Sequence, residues 1–454
     1  MRPLEVLLTA LLIGSAFSLT FRGLRPWFWL AADVCVLAAH LILKGGHWQM
    51  IPAYTALLVF AGTLAVCSST APSKVWPLTG FVAVFLLCAG SVTLSAILPM
   101  FRLPAPTGTH LVGTRILQIG TEGAATRDLV VQLWYPAAPS RAPLAPYRRR
   151  EETTRQSSYQ AVLPTNSHLD APVANGKFPV LLFSPAWGGR RTQNTYLTED
   201  LASHGFVVAA IDHPGNSGPT LYKDGHIDQP GTGDAMDFST MSFEEINARG
   251  EAELKKQTAD EIGVLNALTR MNDDPGSPVY GRLDLNRVGT LGHSFGGAVS
   301  AETAIEDERV KAALSLDGSL FGRMQREGLP KPFMFIEEDL PVYADASKRS
   351  AADINNDAFN AGDLEAMKKF GAYRVFVHGS THESFTDRSL FSPLARFSGA
   401  GSIPKDLEYE IVRAYVLAYF DKTLRGGEPV LLKEVPGPYP EATLELIPGG
   451  KTPG

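Results

Sequence analysis

The sequence predicts two parts of different physical kind: about four membrane-spanning helices within residues 1–102, then an open, mostly parallel α/β sheet covered by helices. Three observations predict it. The first hundred residues hold four long apolar runs; from residue 178 onward short apolar runs alternate with helical stretches; and one such run, 287–291, leads through GHSFGG (292–297) into the helix-prone AVSAETA (298–304). Short apolar runs bounded by turn residues read as strands buried on both faces, and their alternation with helices is the pattern of a parallel sheet.

At 454 residues the chain is too long for one ordinary domain. Residues 1–102 carry six basic and two acidic side chains, a net of +4, which leaves the remainder 35 basic and 45 acidic, a net of −10. An acidic second part without a dense Lys/Arg stripe argues against nucleic acid as a partner.

The apolar runs of the first part are 4–19, 26–43, 51–67 and 75–100, separated by TFRGLR, KGGHWQM and SSTAPSK. Three of them sit near the lower length limit for crossing a hydrocarbon core of roughly 30 Å. Trp27, Trp29, Trp48 and Trp76 lie near run ends, where amphipathic rings prefer the headgroup layer. The rival reading takes the first run, with Arg2 before it, as a signal-like segment followed by three spans. Asp33 and His40, seven residues apart on one face of the second run, read as packing or insertion details before they read as function. All three cysteines, Cys35, Cys67 and Cys88, fall within these runs, so the second part has no cysteine for a disulfide or a zinc site. That suits an oxidising exterior. With an even number of spans, placing the Arg22/Arg25 hinge inside puts the second part outside, at the outer or periplasmic side of a cell membrane, although the basic residues balance at three to three between the two orientations.

Residues 103–113, rich in Pro and Gly, read as a linker, and 114–425 as the α/β domain, with 426–454 as a C-terminal tail. Two strand-like runs, 114–120 and 129–135, flank the turn-rich TEGAATRD. The polar stretch 136–177, with RRREETTR at 148–155, reads as a solvated insertion near the membrane surface. The sheet follows at 178–183, 206–211, 288–291, 310–316, 333–336 and 373–377, with helices at 195–203, 243–271, from Phe295, at 364–369 and at 406–424 before Gly426. Residues 214–241 are long for a connection and read as a flap or as a passive surface loop.

In such sheets sites form beyond the carboxyl ends of the strands. Read in order, those ends carry Trp187 with Gly188 and Gly189, His213, Ser294, Asp317, the acids Glu337, Glu338 and Asp339, and the histidines His378 and His382. Ser294 stands in G-x-S-x-G between a strand and a helix, where Gly292 and Gly296 relieve a turn sharp enough to present a nucleophile. The first amide of the following helix, that of Phe295, faces the place where an oxyanion would form. A serine needs a base and a carboxylate to orient it. His378 and His382 compete as base, and His382, on the loop beyond its strand, is the better placed. For the acid the fold offers Glu337–Asp339 or, one strand earlier, Asp317, which ends an apolar run 23 residues after Ser294 and is the preferred candidate.

The stretches FSPAWGGRR (183–191), LASHGFVVAAIDHPGNS (201–217), GHSFGG (292–297), SLDG (315–318) and HESFTD (382–387) resemble the platelet-activating factor acetylhydrolase family, plasma type, over residues 111–425. The resemblance implies an α/β-hydrolase fold and calcium-independent hydrolysis of short or oxidised acyl esters. It places the nucleophile on Ser294, the acid on Asp317, the base on His382 and the oxyanion amides on Phe295 and Trp187. The chain departs from the family at the last of these, with Pro185-Ala186-Trp187-Gly188 where animal members have a His-Gly-Leu-Gly type turn. Backbone donation survives that change, and the bulk of Trp187 alters the acyl pocket.

These readings make the chain a membrane-anchored serine esterase or lipase acting on a small-molecule or lipid ester, including phospholipid, with no cofactor and no metal. The alternatives are a peptidase, thioesterase or polyester hydrolase of the same fold, since the elbow does not report the leaving group, and a non-catalytic membrane binding protein.

Overall fold

In the computed structural model of the chain the described residues are 1–21, 26–69, 75–120, 127–229, 236–339, 349–394, 399, 401–433 and 437–450. The hinge residues Arg22, Arg25 and Lys74, the turn at 121–126 and residues 230–235 of the expected flap lie outside them. The chain forms two compact units, one of residues 1–102 with 146–164 and 390–395, the other of the remainder.

The first unit is built on helices α1 (Pro3–Phe21), α2 (Pro26–Lys44), α3 (Ile51–Ser69) and α4 (Val75–Ile97). With the single turn that leads into α3 counted, they give four helical segments of 19, 19, 22 and 23 residues, each long and apolar enough to cross a membrane. Their polarity is inverted relative to a water-soluble bundle. Glu5, Asp33, His40 and Gln49 are fully buried, whereas Ile42 is 82% and Leu58 72% exposed, an arrangement that hydrocarbon favours and water does not. Leu8, Leu12, Met50, Phe60, Val84 and Cys88 fill the centre. At one end Glu5 accepts the Arg2 amide (2.8 Å), pairs with the Arg2 guanidinium and meets His47 Nε2 at 3.0 Å, while His40 reaches Tyr54 at 2.8 Å. The charge run at 148–155 belongs to this unit and is exposed or half-exposed, as expected, except that Glu152 is buried and pairs with Arg149; beside it Tyr147 packs edge-on against both Phe101 and Phe391.

The second unit holds one large sheet. Its strands are β1 (Leu111–Gly120), β2 (Asp128–Ala137), β3 (Leu144–Pro146), β4 (Pro164–Leu169), β5 (Phe178–Ser184), β6 (Val207–Asp212), β9 (Leu283–His293), β10 (Val310–Leu316), β11 (Phe333–Glu338), β12 (Ala372–Val377) and β13 (Ala442–Ile447), while β7 (Thr220–Leu221) and β8 (Ile227–Asp228) pair as a separate ribbon. The order is β13-β12-β11-β10-β9-β5-β6-β2-β1-β4-β3. The six central strands, β12 through β6, run parallel, and β2 and β13 flank them antiparallel. The helices are α5 (Thr195–Ser203), α6 (Phe243–Asp273), α7 (Phe295–Glu306), α8 (Gly322–Glu327), α9 (Ala351–Phe370) and α10 (Lys405–Arg425). Each central strand is the apolar run expected of it, and Val180, Leu182, Val207, Ala209, Val288 and Ala313 form one continuous core with α6 and α7. A Ser242/Glu245 capping box starts α6, and Gly426, left-handed at φ 71°, ends α10.

Three stretches differ from expectation. Residues 103–110 do not hang free as a linker: Thr107 and Gly108 donate to Asp200 and Ser203, and β1 starts at Leu111. The expected tail contributes β13, paired along its whole length with β12. Within the expected insertion, β4 joins the sheet beside β1, its polar Asn166 and Ser167 satisfied by the buried Glu199.

Candidate active site

The register of the central strands brings their last residues into line. Leu316 of β10 faces His293 of β9 and Ile336 of β11, so the next residues, Ser294 and Asp317, leave the sheet side by side. Both have positive φ, 55° and 52°, uncommon for residues other than glycine and a mark of strain held by its surroundings. The ladder continues past them: the Ser294 amide donates to Leu316 O (2.8 Å) and the Asp317 amide to Ile336 O (2.7 Å). The turn closes only without side chains at its flanks. A Cβ on Gly292 would lie 2.1 Å from Gly296 O, and one on Gly296 would lie 2.0 Å from Ser184 O.

His382 arrives on the one-turn helix His382–Phe385 that follows β12. Its Nδ1–H donates to Asp317 Oδ2 at 2.6 Å, and its Nε2 accepts from Ser294 Oγ at 2.9 Å. Burial pulls the imidazole pKa down, but the hydrogen bond and charge of Asp317 outweigh it and hold the group above its usual value. The other oxygen of Asp317 accepts the Glu338 amide at 2.8 Å. The structure thus brings together Ser294, Asp317 and His382.

The competing candidates go elsewhere. His378 binds Asp339 (2.7 Å) and Thr443 (2.8 Å). Glu337 is buried in a two-point pair with Arg374 (2.5 and 2.9 Å). Glu338 accepts the main-chain amide of His382 at 2.6 Å instead of its ring.

Phe295 opens α7, so its amide has no acceptor inside the helix. The ring of Trp187 packs edge to face on that of Phe295, 5.0 Å between centroids, and among the described residues the Trp187 amide has no acceptor either. Both line a cleft of about 500 Å³ whose floor holds Ser294, Asp317 and His382. Met236 and Phe238, from the stretch expected as a flap, and Phe321 form its apolar wall, and Asp353, Asn356 and Asn360 of α9 its polar one. That helix was legible in the sequence only at its end, and its contribution to the cleft was not.

Two polar residues that the sequence did not single out stand behind the site. His293 is fully buried, which drives its pKa down to about 3, and its Nε2–H donates to His382 O at 2.8 Å. Gln193 donates to its other ring nitrogen at 2.7 Å. A second Ser, His and Asp also meet, wholly inside the protein. Ser184 Oγ lies 3.1 Å from His213 Nε2 and donates to Glu261 at 2.7 Å, and His213 Nδ1 lies 3.1 Å from Asp260 Oδ2.

The chain as a whole is similar to known esterases. The family model described as platelet-activating factor acetylhydrolase, isoform II, matches residues 153–426. The chain is 25% identical to the platelet-activating factor acetylhydrolase of Cavia porcellus over 71% of its length and 78% of that protein's. It is 32% identical to the corresponding Bos taurus protein over 57% of its own length and 59% of the other's, under two thirds of the bovine chain. Among solved structures, a ferulic acid esterase from Streptomyces cinnamoneus superposes with a TM-score of 0.61 at 29% identity, covering 76% of this chain and 99% of that one.

Proposed function

The chain belongs to the platelet-activating factor acetylhydrolase isoform II family, and from that premise we propose that it is a membrane-anchored serine hydrolase of carboxylic esters with short or oxidised acyl groups, phospholipids among them. The observation that carries the reading is the unbroken chain from Asp317 through His382 to Ser294, at 2.6 and 2.9 Å, on the floor of an open cleft.

The reaction is acyl transfer in two steps. His382 takes the Ser294 proton as Oγ attacks the ester carbonyl, and Asp317 keeps the ring in the tautomer that can accept it. The amides of Phe295 and Trp187 bind the oxyanion as the negative charge develops. Collapse of the tetrahedral species expels the alcohol with the proton from His382. Water, deprotonated by the same histidine, then releases the acid and restores Ser294. The four apolar helices with their inverted polarity support an anchor, and an even number of spans with a cysteine-free second part favours the hydrolase on the outer side.

A second reading, esters of aromatic acids, is favoured by the aromatic wall of Trp187, Phe295 and Phe321 and by the likeness to a ferulic acid esterase. One assay separates the readings: turnover of p-nitrophenyl esters of rising acyl length beside methyl ferulate and a short-acyl phospholipid. Preference for acetyl and butyryl esters and for the phospholipid supports the first, and preference for the ferulate the second. A fluorophosphonate probe labels Ser294 alone on either reading, and labelling elsewhere overturns both. A reporter fused after Gly454 that is active only in the cytoplasm overturns the outer placement.

A further inference from the structure

His382 is held by its main chain as well as by its ring. Its N–H donates to Glu338 Oε2 at 2.6 Å, and its carbonyl accepts from His293 Nε2 at 2.8 Å. We infer that Glu338, His293 and Gln193 are positioning residues that clamp the base through its backbone and tie it to the oxyanion turn, an inference that rests on the Ser294–His382–Asp317 reading.

A histidine on a one-turn helix beyond a strand end has no ladder to fix its Cα, and two ring hydrogen bonds cannot orient a ring whose root moves. Here two strands supply the missing restraint. Glu338 ends β11 and His293 ends β9, so both grips come from the rigid sheet and not from the loop itself. His293 stays a single-proton donor because burial keeps it neutral and Gln193 Nε2 occupies its Nδ1 at 2.7 Å. The other end of Gln193 accepts the Ala186 amide at 3.3 Å, one residue before Trp187 and just past β5. One side chain therefore spans the turn that carries an oxyanion amide and the ring that carries the base's carbonyl. Glu338 stands where this fold offers its other place for the acid, but it engages the peptide of His382, and Asp317 the ring.

The charged and titratable groups around His382 are Asp317 after β10, Glu338 of β11, His293 of β9, Glu383 beside it in its own turn, and Glu408 of α10, which reaches the same turn through Ser384 at 2.5 Å. Burial foremost, with the charge of Asp317, pushes Glu338 up to about 7.

The test compares Glu338→Gln with Glu338→Leu in the full-length, detergent-solubilised protein, using p-nitrophenyl acetate. Glutamine keeps a carbonyl acceptor for the His382 amide, and leucine does not. The clamp predicts that Glu338→Leu lowers kcat by about 10²-fold with KM little changed, the scale of a small misplacement of a catalytic group. Glu338→Gln retains kcat within about 3-fold, and its acid limb in kcat/KM moves to lower pH because a negative charge beside the imidazole is gone. Gln193→Leu, half-buried and so a safer variant for folding, also lowers kcat at constant KM. Wild-type kcat in Glu338→Leu and Gln193→Leu overturns the clamp. Equal inactivity of Glu338→Gln and Glu338→Leu, with both folded, overturns it too and makes Glu338 the acid. Ser294→Ala in the same series separates the two levels: turnover in that variant sinks the serine hydrolase reading itself, whereas its inactivity beside an unimpaired Glu338→Leu sinks the clamp alone.

Discussion

The hydrolase unit contains two Ser–His–Asp arrangements, and set side by side they separate what makes a nucleophile from what only resembles one. Ser294, His382 and Asp317 are linked at 2.9 and 2.6 Å, and Ser184, His213 and Asp260 at 3.1 and 3.1 Å. The residue types and the order of atoms match. The backbone and the solvent do not. Ser294 stands at positive φ at the head of α7 and opens into the cleft, whereas Ser184 is the last residue of a fully buried strand and donates a hydrogen bond to Glu261, whose carboxyl burial pushes up. Ser184 is fully buried, and among the described residues no helix amide donates to its hydroxyl. A hydrogen-bonded triplet is thus a common way to satisfy buried polar groups; on the proposed reading, the strained turn, the free amide and the opening are what set Ser294 apart.

The largest expected effect breaks the two apart directly. Ser294→Ala and His382→Ala each lower kcat/KM for p-nitrophenyl acetate by about 10⁴-fold or more without unfolding the protein. Ser184→Ala leaves a folded, active enzyme that is less stable by about 1–3 kcal/mol, because buried partners lose a hydrogen bond. Denaturant melts and initial rates on both proteins decide it, and the reverse pattern would exchange their roles.

Next in size is the acid. Asp317→Asn cuts turnover by about 10³ to 10⁴-fold, since the amide no longer holds the imidazole tautomer, while Glu337→Gln and Asp339→Asn remain active. Glu337→Gln breaks the buried pair with Arg374 and shows itself in the melting curve instead. A turnover loss at Glu337 or Asp339 with Asp317→Asn active would move the acid one strand along.

The sequence made part of this readable. The six central strands are plain apolar runs, and Ser294, Asp317 and His382 follow in order at their ends. Helix α9 was hidden because its buried face includes Asn355 and Asp363, which satisfy the main chain of Phe238, Met241 and Leu320 and blur the apolar stripe. Strand β13 is short, half-exposed and flanked by Pro and Gly. The roles of His293, Gln193 and Glu338 rest on main-chain partners and on pairs 89 and 100 residues apart, and such pairings leave no mark in local spacing.

Smaller effects follow from protons. On the proposed reading His382 is the base and must be neutral to act, and its pKa is raised above the usual 6.5, so kcat/KM falls with an acid-limb midpoint above 6.5. A pH–rate profile in which the limb lies below 6.5 would contradict the Asp317–His382 pairing. His293 works the other way on stability. Its folded pKa of about 3 lies below the unfolded value of 6.5, so its contribution is complete above 6.5 and is lost as pH falls toward 3. Urea unfolding at pH 7.5, 6 and 4.5 should show this decline, and His293→Asn should flatten it.

The close approach at the elbow also dictates where this enzyme is free to change under selection in the laboratory. A Cβ on Gly296 would meet Ser184 O at 2.0 Å, and one on Gly318 would meet Ser294 O at the same distance, so every single-base change at those codons that alters the residue inserts atoms where backbone already stands. A saturation library should therefore be silent there and permissive a few ångströms away, at Trp187, Met236, Phe238 and Asn360, whose side chains line the cleft without carrying the turn. New substrate preferences would arise from that rim, while the reacting centre passes unchanged from one generation of variants to the next.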